Sequence, residues 1–316
     1  MLVFIGRRLL YLVPVVLGVS LLTFMVAALL PGDLALAILG DQATPENVAA
    51  LRAKLGLDLP GWQRYLLWLG NVAGGDLGQS ARTGETVWQA IANRLPVSLE
   101  LMLLAQLGAL VIGVPLGILC AAKANTTLDR ALAGGAFAML SMPPFMLAIL
   151  LIFAFSVWLG ILPATGYTPF AQDPVANLVS MALPAGALAL VEWPALMRVL
   201  RSDMITTLQE DFIAMAKAKG LKRGRILFLH ALKPSSLPLV TVIGLNVGRL
   251  IGGAVIIETI FALPGLGRLL VEAIYTRDFI VLQGGVLFVA VAYVLINFLV
   301  DLLYAVLDPR IRRGHG

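Results

Sequence analysis

Long stretches almost free of Asp, Glu, Lys and Arg alternate along this chain with shorter polar intervals. Six of them, roughly 9–30, 101–122, 131–158, 176–198, 236–257 and 279–300, reach the ~20 apolar residues that a helix needs to cross a ~30 Å hydrocarbon layer. Two of the six carry a charge: Glu192 near one end of the fourth and Arg249 inside the fifth. Interior prolines such as Pro14, Pro115 and Pro184 do not undo the assignment, because neighbouring helices satisfy the freed carbonyls in a membrane bundle. The pattern predicts an all-α integral membrane protein with six transmembrane helices.

The polar stretch between the first two spans keeps a helical rhythm. Thr44-Pro45 reads as an N-cap and first helical residue, Val48, Leu51 and Leu55 recur at helical spacing, and Gly56 fits the position just past the end. A second segment places Trp62, Tyr65, Leu66 and Leu69 on one face, and a third does so with Val87, Trp88, Ile91 and Leu95. These read as helices on the outer membrane surface, their aromatic residues serving as interface anchors or, alternatively, as part of a ligand site. The chain thus divides into 1–96, a first span plus an extracytoplasmic helical region, and 97–316, a five-helix core with a cytoplasmic loop at about 199–235.

Composition agrees with the pattern: 59% of residues are hydrophobic, 13% are charged and the mean hydropathy is +0.93. With the N-terminus inside, 15 basic residues fall on the cytoplasmic side and 7 on the other, Arg249 lying within the membrane, so both termini are expected in the cytoplasm. This asymmetry accounts for the net charge of +5, and no nucleic-acid partner is needed to explain it. Arg7 and Arg8 ahead of an apolar run resemble a secretory signal, but the run exceeds the ~7–15 residues of a signal core and is expected to stay as a helix. The single cysteine, Cys120, reads as a small apolar packing residue.

The sequence excludes most chemistry. No lysine is followed by Ser or Thr, so the G-x-x-x-x-G-K-[ST] phosphate loop is missing; His230 and His315 lie too far apart for a zinc helix; no G-x-S-x-G elbow occurs. Glu192 and Arg249 are not a nucleophile and base by type. Neither catalysis, a resident metal nor a bound cofactor is expected.

The loop at 199–235 is the most informative polar segment. Phe212 to Lys219 reads as a short helix rich in small residues, Gly220 can take the left-handed conformation that stops it, and Arg223 to Leu232 reads as a second helix. The resulting helix-glycine-helix elbow is either a docking knob for a partner or an amphipathic segment lying on anionic lipid.

The run Asp211-Phe212-Ile213-Ala214-Met215-Ala216-Lys217-Ala218-Lys219-Gly220-Leu221, with His230-Ala231-Leu232 and Leu237-Pro238, resembles the ATPase-coupling loop of ABC importer permeases in its dipeptide and oligopeptide form. Where the general importer motif begins with Glu-Ala-Ala, Ala214 stands in place of the glutamate. Further segments resemble the same branch in order: Pro31-Gly32-Asp33, Leu55-Gly56-Leu57-Asp58, Gly75-Asp76-Leu77-Gly78-Gln79-Ser80, Arg94-Leu95-Pro96, Ser141-Met142-Pro143-Pro144-Phe145 and Leu162-Pro163-Ala164-Thr165-Gly166-Tyr167. Later come Glu258-Thr259-Ile260-Phe261, Pro264-Gly265-Leu266-Gly267-Arg268, Arg277-Asp278-Phe279 and Leu307-Asp308-Pro309-Arg310-Ile311-Arg312.

The resemblance implies a type I ABC importer permease fold in the bacterial cytoplasmic membrane. It also implies an assembly: a second homologous permease, two cytoplasmic ATPase subunits holding ATP and Mg, and an extracytoplasmic substrate-binding protein. Asp211, Ala214, Ala216, Ala218 and Gly220 would couple the chain to the ATPases. Asp76, Arg94, Glu258, Arg268, Glu272, Arg277 and Asp278 would form an external gate or touch the binding protein; pattern alone also allows Arg268 and Glu272 to be solvated charges on an interfacial helix, opposite the apolar face of Leu266, Leu269, Leu270, Ala273 and Ile274.

Gly244, Gly248 and Gly252 form a small-residue face that reads as a permease–permease interface, and Gly113-x-x-x-Gly117 offers another in the second span. Arg249 beside that face either lines the path and meets a substrate carboxylate or pairs with an acid of the partner subunit. The substrate is a dipeptide, an oligopeptide or a related small solute such as glutathione or a nickel complex. An ion-gradient-driven secondary transporter is the alternative, but it would show inverted repeats and more ionisable residues within the spans.

Overall fold

The computed structural model describes residues 2–29, 39, 43–54, 56, 58–80 and 82–307; the side chains of 2–9, 11, 27–29, 51, 54, 301 and 303–307 lie outside that description. So do the expected motif at Pro31-Gly32-Asp33, Leu55 and Leu57, and the tail from Asp308. Among the described residues the elements are helical, with one isolated bridge between Gln79 and Thr86.

In order the helices are α1 (Leu2–Leu29), α2 (Pro45–Lys54), α3 (Gly61–Ala73), α4 (Val87–Ala122), α5 (Thr127–Leu140), α6 (Pro144–Leu151), α7 (Pro174–Thr207), α8 (Asp211–Ala218), α9 (Arg223–Ile260), α10 (Leu266–Tyr275) and α11 (Phe279–Leu307). Four, namely α4, α7, α9 and the part of α11 up to Val300, are long and apolar enough to cross a membrane. The pair α5 and α6 makes a fifth when counted as one span, and the described apolar part of α1, Leu12–Val26, is shorter. With 36, 34 and 38 residues, α4, α7 and α9 would each run for more than ~50 Å at 1.5 Å per residue, so they extend past the ~30 Å hydrocarbon layer.

Local chemistry sets the helix ends. Thr126 caps α5 by accepting from the Asp129 amide, and Asp173 caps α7 by accepting from the amides of Val175 and Ala176, with Pro174 as first helical residue. Thr44 accepts from the Asn47 amide at the start of α2, and Gly56 takes φ +64° after its end, both as the spacing predicts.

Three expectations are corrected. The run 131–158 is not one straight helix: α5 and α6 meet at 102°, α6 continuing as a π-helical stretch over Ile152–Trp158. Pro143 lies ahead of Pro144 and is held extended at φ −63°, ψ 144°, the conformation that a following proline ring enforces. Second, Val87, Trp88, Ile91 and Leu95 do not form a separate surface helix but the first turns of α4, which runs through Pro96 and Pro115. Third, the second arm of the elbow continues through a π-helical stretch, Ile226–Ala231, directly into the fifth span as α9.

Two compact units are present. The first comprises Met1–Pro96 and Gly265–Leu295, the second Val97–Pro264 and Ile296–Gly316. In the first, Leu77, Val87, Ala90, Ile91, Leu266, Leu269, Ala273, Val281, Leu282 and Leu287 share a buried cluster. There α3 packs on α1 through Phe24, Tyr65 and Trp68, and the Tyr65 hydroxyl lies 2.8 Å from Ser20 Oγ. At least these aromatics hold a helix pair together rather than serving as bare interface anchors.

The core of the second unit is the packing of α7 against α4, α5, α6 and α9. Small residues let α4 and α7 approach: a Cβ on Gly113 would meet the Trp193 carbonyl at 2.9 Å, and one on Gly117 the Met197 carbonyl at 3.1 Å. The Gly113-x-x-x-Gly117 face is thus used within the chain. Outside this core Val111, Phe153, Val157 and Trp158 are widely exposed, which suits a lipid surround.

Candidate functional site: a cytoplasmic elbow and a charged cavity at a broken helix

At the elbow α8 starts at Asp211 and ends before Gly220, whose φ of +75° is open to glycine without cost. Ile213 and Ala216 are buried and hold α8 against the π stretch that opens α9. Asp211, Phe212, Ala214, Met215, Ala218 and Gly220 are exposed. Of the five residues expected to couple, four therefore face outward; Ala216 faces the chain itself, where i to i+3 spacing from Ile213 puts it on the inner stripe. No bulky side chain stands within 4 Å of where a Gly220 Cβ would be, so the knob is bounded by open space there.

The three glycines of the fifth span do not share one role. Gly244 is packed against Val300 of the same chain, Gly248 is buried, and Gly252 is exposed with nothing within 4 Å of a Cβ. The exposed stripe of α9 is instead Leu245, Arg249, Gly252 and Ile256, spaced at i, i+4, i+7 and i+11 as one helix face requires.

Arg249 has a partner within its own chain: its Nη2 lies 4.0 Å from Oε1 of Glu192 on α7. The Arg249 side chain is 56% exposed, that of Glu192 only 6%. The other carboxylate oxygen, Oε2, is buried with no hydrogen-bond partner. Both residues line a cavity of about 410 Å³ with Leu140, Ser141, Met142, Pro143, Pro144, Leu188, Val191, Leu250 and Gly253, so the break between α5 and α6 forms one wall.

Of the residues expected at an external gate, Glu258 belongs to the second unit and the other six to the first. Asp76 accepts from the Gly78 amide within its own turn, and Arg94 donates to the Ala90 carbonyl and lies 3.9 Å from Glu85. Arg268 and Glu272 pair at 2.7 Å along α10, and Arg277 is exposed at φ +55°. Asp278 begins α11, accepting from the Val281 amide, and takes a 2.5 Å hydrogen bond from Ser80 Oγ. Glu258, in the other unit, is fully buried and accepts from Ser98 Oγ at 2.6 Å. Asp278 and Glu258 thus accept hydrogen bonds from hydroxyls of their own chain, while Asp76, Glu272 and Arg277 offer exposed charge.

Sequence reasoning missed two polar links. Asp129 is buried and takes two hydrogen bonds, 2.6 and 2.7 Å, from Arg201, tying α5 to α7. The spacing Thr126-x-x-Asp129 is a capping-box signal that would have placed that carboxylate at a helix start. In the segment between α6 and α7, the Tyr167 hydroxyl donates to Glu100 at 2.9 Å, and burial, then this bond, push the phenol up to about 12, so it stays a donor. Nothing in the local pattern announces that pairing.

Among the described residues, helical elements that include four or five of lipid-crossing length, with an exposed elbow between two of them, have the architecture of a membrane permease. Residues 113–313 match the family described as binding-protein-dependent transport system inner membrane component, and residues 1–102 match the N-terminal region described for the same systems. The chain belongs to that family, the permeases of the binding-protein-dependent importers.

A Brucella abortus (strain 2308) chain provisionally assigned as a peptide transport system permease protein is 44% identical over 306 residues, 97% of this chain and 98% of that one. The dipeptide transport system permease protein DppB of Escherichia coli K12 is 40% identical over 336 residues, 99% of each chain. Among solved structures, the inward facing MetNI methionine ABC transporter matches with a TM-score of 0.58 at 18% identity, covering 70% of this chain and 97% of that one, and so shares the fold.

Proposed function

We propose that the chain is one of two homologous permease subunits of an ATP-driven importer that carries di- or oligopeptides, or a related small solute, into the cytoplasm. The observation that carries this reading is 40% identity across 99% of both chains to a protein named for dipeptide transport. In the proposed arrangement six spans cross the membrane: α1, α4, the bent α5–α6 pair, α7, α9 and α11. Both termini are cytoplasmic, 1–96 forms the first span with an extracytoplasmic region, and 97–316 forms the five-helix core.

Two cytoplasmic ATPases, holding ATP and Mg, dock on the elbow through Asp211, Ala214, Ala218 and Gly220, with Ala216 supporting that surface from beneath. The small outward side chains Ala214 and Ala218 support this, since they let a partner surface reach the backbone of α8. On the outer side a substrate-binding protein meets the exposed charges Asp76, Glu272 and Arg277 and the half-buried Arg268, and Arg94, Glu258 and Asp278 are assigned to the external gate. The stripe of Leu245, Arg249, Gly252 and Ile256 faces the second permease across the path, Gly244 and Gly248 supporting it from within. An arginine exposed on a membrane helix faces a wet cavity or a partner rather than lipid, which is why Arg249 is placed on the path.

The test is purification from the native membrane in mild detergent, with mass spectrometry of the co-purifying chains and peptide-stimulated ATP hydrolysis of the complex. A second permease and one or two phosphate-loop ATPases are expected, and Gly220→Val is expected to lower stimulated hydrolysis at least fivefold. A lone chain that imports solute on an ion gradient without any ATPase would overturn the reading.

A further inference from the structure

The cavity at the bent pair α5–α6 has a composition that packing alone does not require. Its walls are mostly apolar, yet it holds one buried carboxylate and one largely exposed guanidinium, on different helices. Glu192 is buried on α7 toward one end of the fourth span, where an uncompensated carboxylate is costly, and one of its oxygens has no hydrogen-bond partner. Arg249 meets the other oxygen only at 4.0 Å, too far for a hydrogen bond, and most of its side chain is free of the chain's own atoms. Ser141 offers no competing donor to the carboxylate, because its hydroxyl is committed to the Phe137 carbonyl. The break at Pro143 and Pro144 opens the wall, and Gly253 keeps α9 close to Leu188 beside it.

We propose that this cavity is a transient binding site for a zwitterion: the carboxylate of Glu192 takes an ammonium group, and the guanidinium of Arg249 swings off Glu192 to take a carboxylate. The inference rests on the peptide-import reading and adds to it a place, a pair of residues and a chemical preference. An ammonium group would satisfy the unpaired Oε2, and the planar fork of Arg249 suits a carboxylate. The apolar walls accept side chains without selecting among them. Charge at both ends with a permissive middle is the recognition a carrier of varied peptides needs. In the empty site the two charges face each other loosely, so neither is stranded in the membrane between ligands.

Ser141→Cys provides the probe, because Ser141 is exposed, lines the cavity, and the native Cys120 is buried. The rate of maleimide labelling at S141C in the assembled complex is measured against dialanine, dialanine amide, which lacks the carboxylate, and N-acetyl-dialanine, which lacks the ammonium. Dialanine is expected to slow labelling at millimolar concentration, and each single-charge analogue to need at least tenfold more. E192Q should abolish the advantage of dialanine over N-acetyl-dialanine, and R249Q its advantage over dialanine amide.

Equal protection by all three probes, or none by any, overturns the proposal, and neither result depends on the two variants folding. Uptake of dialanine by the wild-type complex separates the two readings: uptake without protection fails the site alone, whereas protection without uptake fails the assignment of the substrate and leaves the site standing.

Discussion

At the scale of single residues, the second unit is held together by a few positions where size or charge is tightly fixed. Asp129 is one, since both its oxygens are engaged by Arg201 and the Asn125 amide also donates to it. Asp129→Asn is expected to destabilise the purified chain by about 3 kcal/mol, because it leaves a partly buried guanidinium without its counter-charge. The double variant D129N/R201M should recover part of that loss, as measured by thermal unfolding in detergent. Gly113 is another: adding a side chain there pushes against the backbone of Trp193, so Gly113→Leu should cost about 1–3 kcal/mol in the same assay. Gly134, with open space around it on α5, should tolerate Ala and gain up to about 1 kcal/mol. The sequence showed Gly113 as a packing face and carried, unread, a helix-start signal at Thr126-x-x-Asp129. It did not announce their partners, because a pairing between distant helices leaves no local periodicity. Glu192 and Arg249 are the same case: two rare charges were visible in two spans, but not that they line one cavity.

At the scale of elements, legibility followed the strength of the constraint. Lipid demands long uninterrupted helices, and α4, α7, α9 and α11 fall where the charge-free runs lie. The bend between α5 and α6 was hidden because apolar composition continues through it, although Pro143-Pro144 carries the reason for it in its missing amide hydrogens. Replacing both prolines with Ala is expected to straighten the segment. Spin labels at Ala133 and Val157 would then approach the ~36 Å that 24 helical residues span, from a clearly shorter distance in the bent form. The elbow was legible from Gly220 alone. The seamless passage of its second arm into the fifth span was not, because the polar residues of Arg223 to Lys233 look like a loop to any reading by hydropathy.

At the scale of the whole molecule, the fold class was the most legible feature and the surfaces for other chains the least, since those surfaces are complete only with partners present. The inside-outside asymmetry of basic residues makes a direct prediction. An impermeant maleimide should label Thr83→Cys in intact spheroplasts and should reach Lys217→Cys, on the exposed side of α8, only after permeabilisation. Equal labelling of both in intact cells would reverse the topology. The π-helical stretch Ile226–Ala231 bears on the same molecule from the inside. Such a stretch carries about one residue more than the α-helix it interrupts, and each residue turns a helix by about 100°. The stretch therefore acts as an angular offset, and the compass bearing of Arg249 is dialled about five turns upstream, at the foot of the helix. Deleting a single residue there would leave α9 long, apolar and intact, yet aim Arg249 away from Glu192.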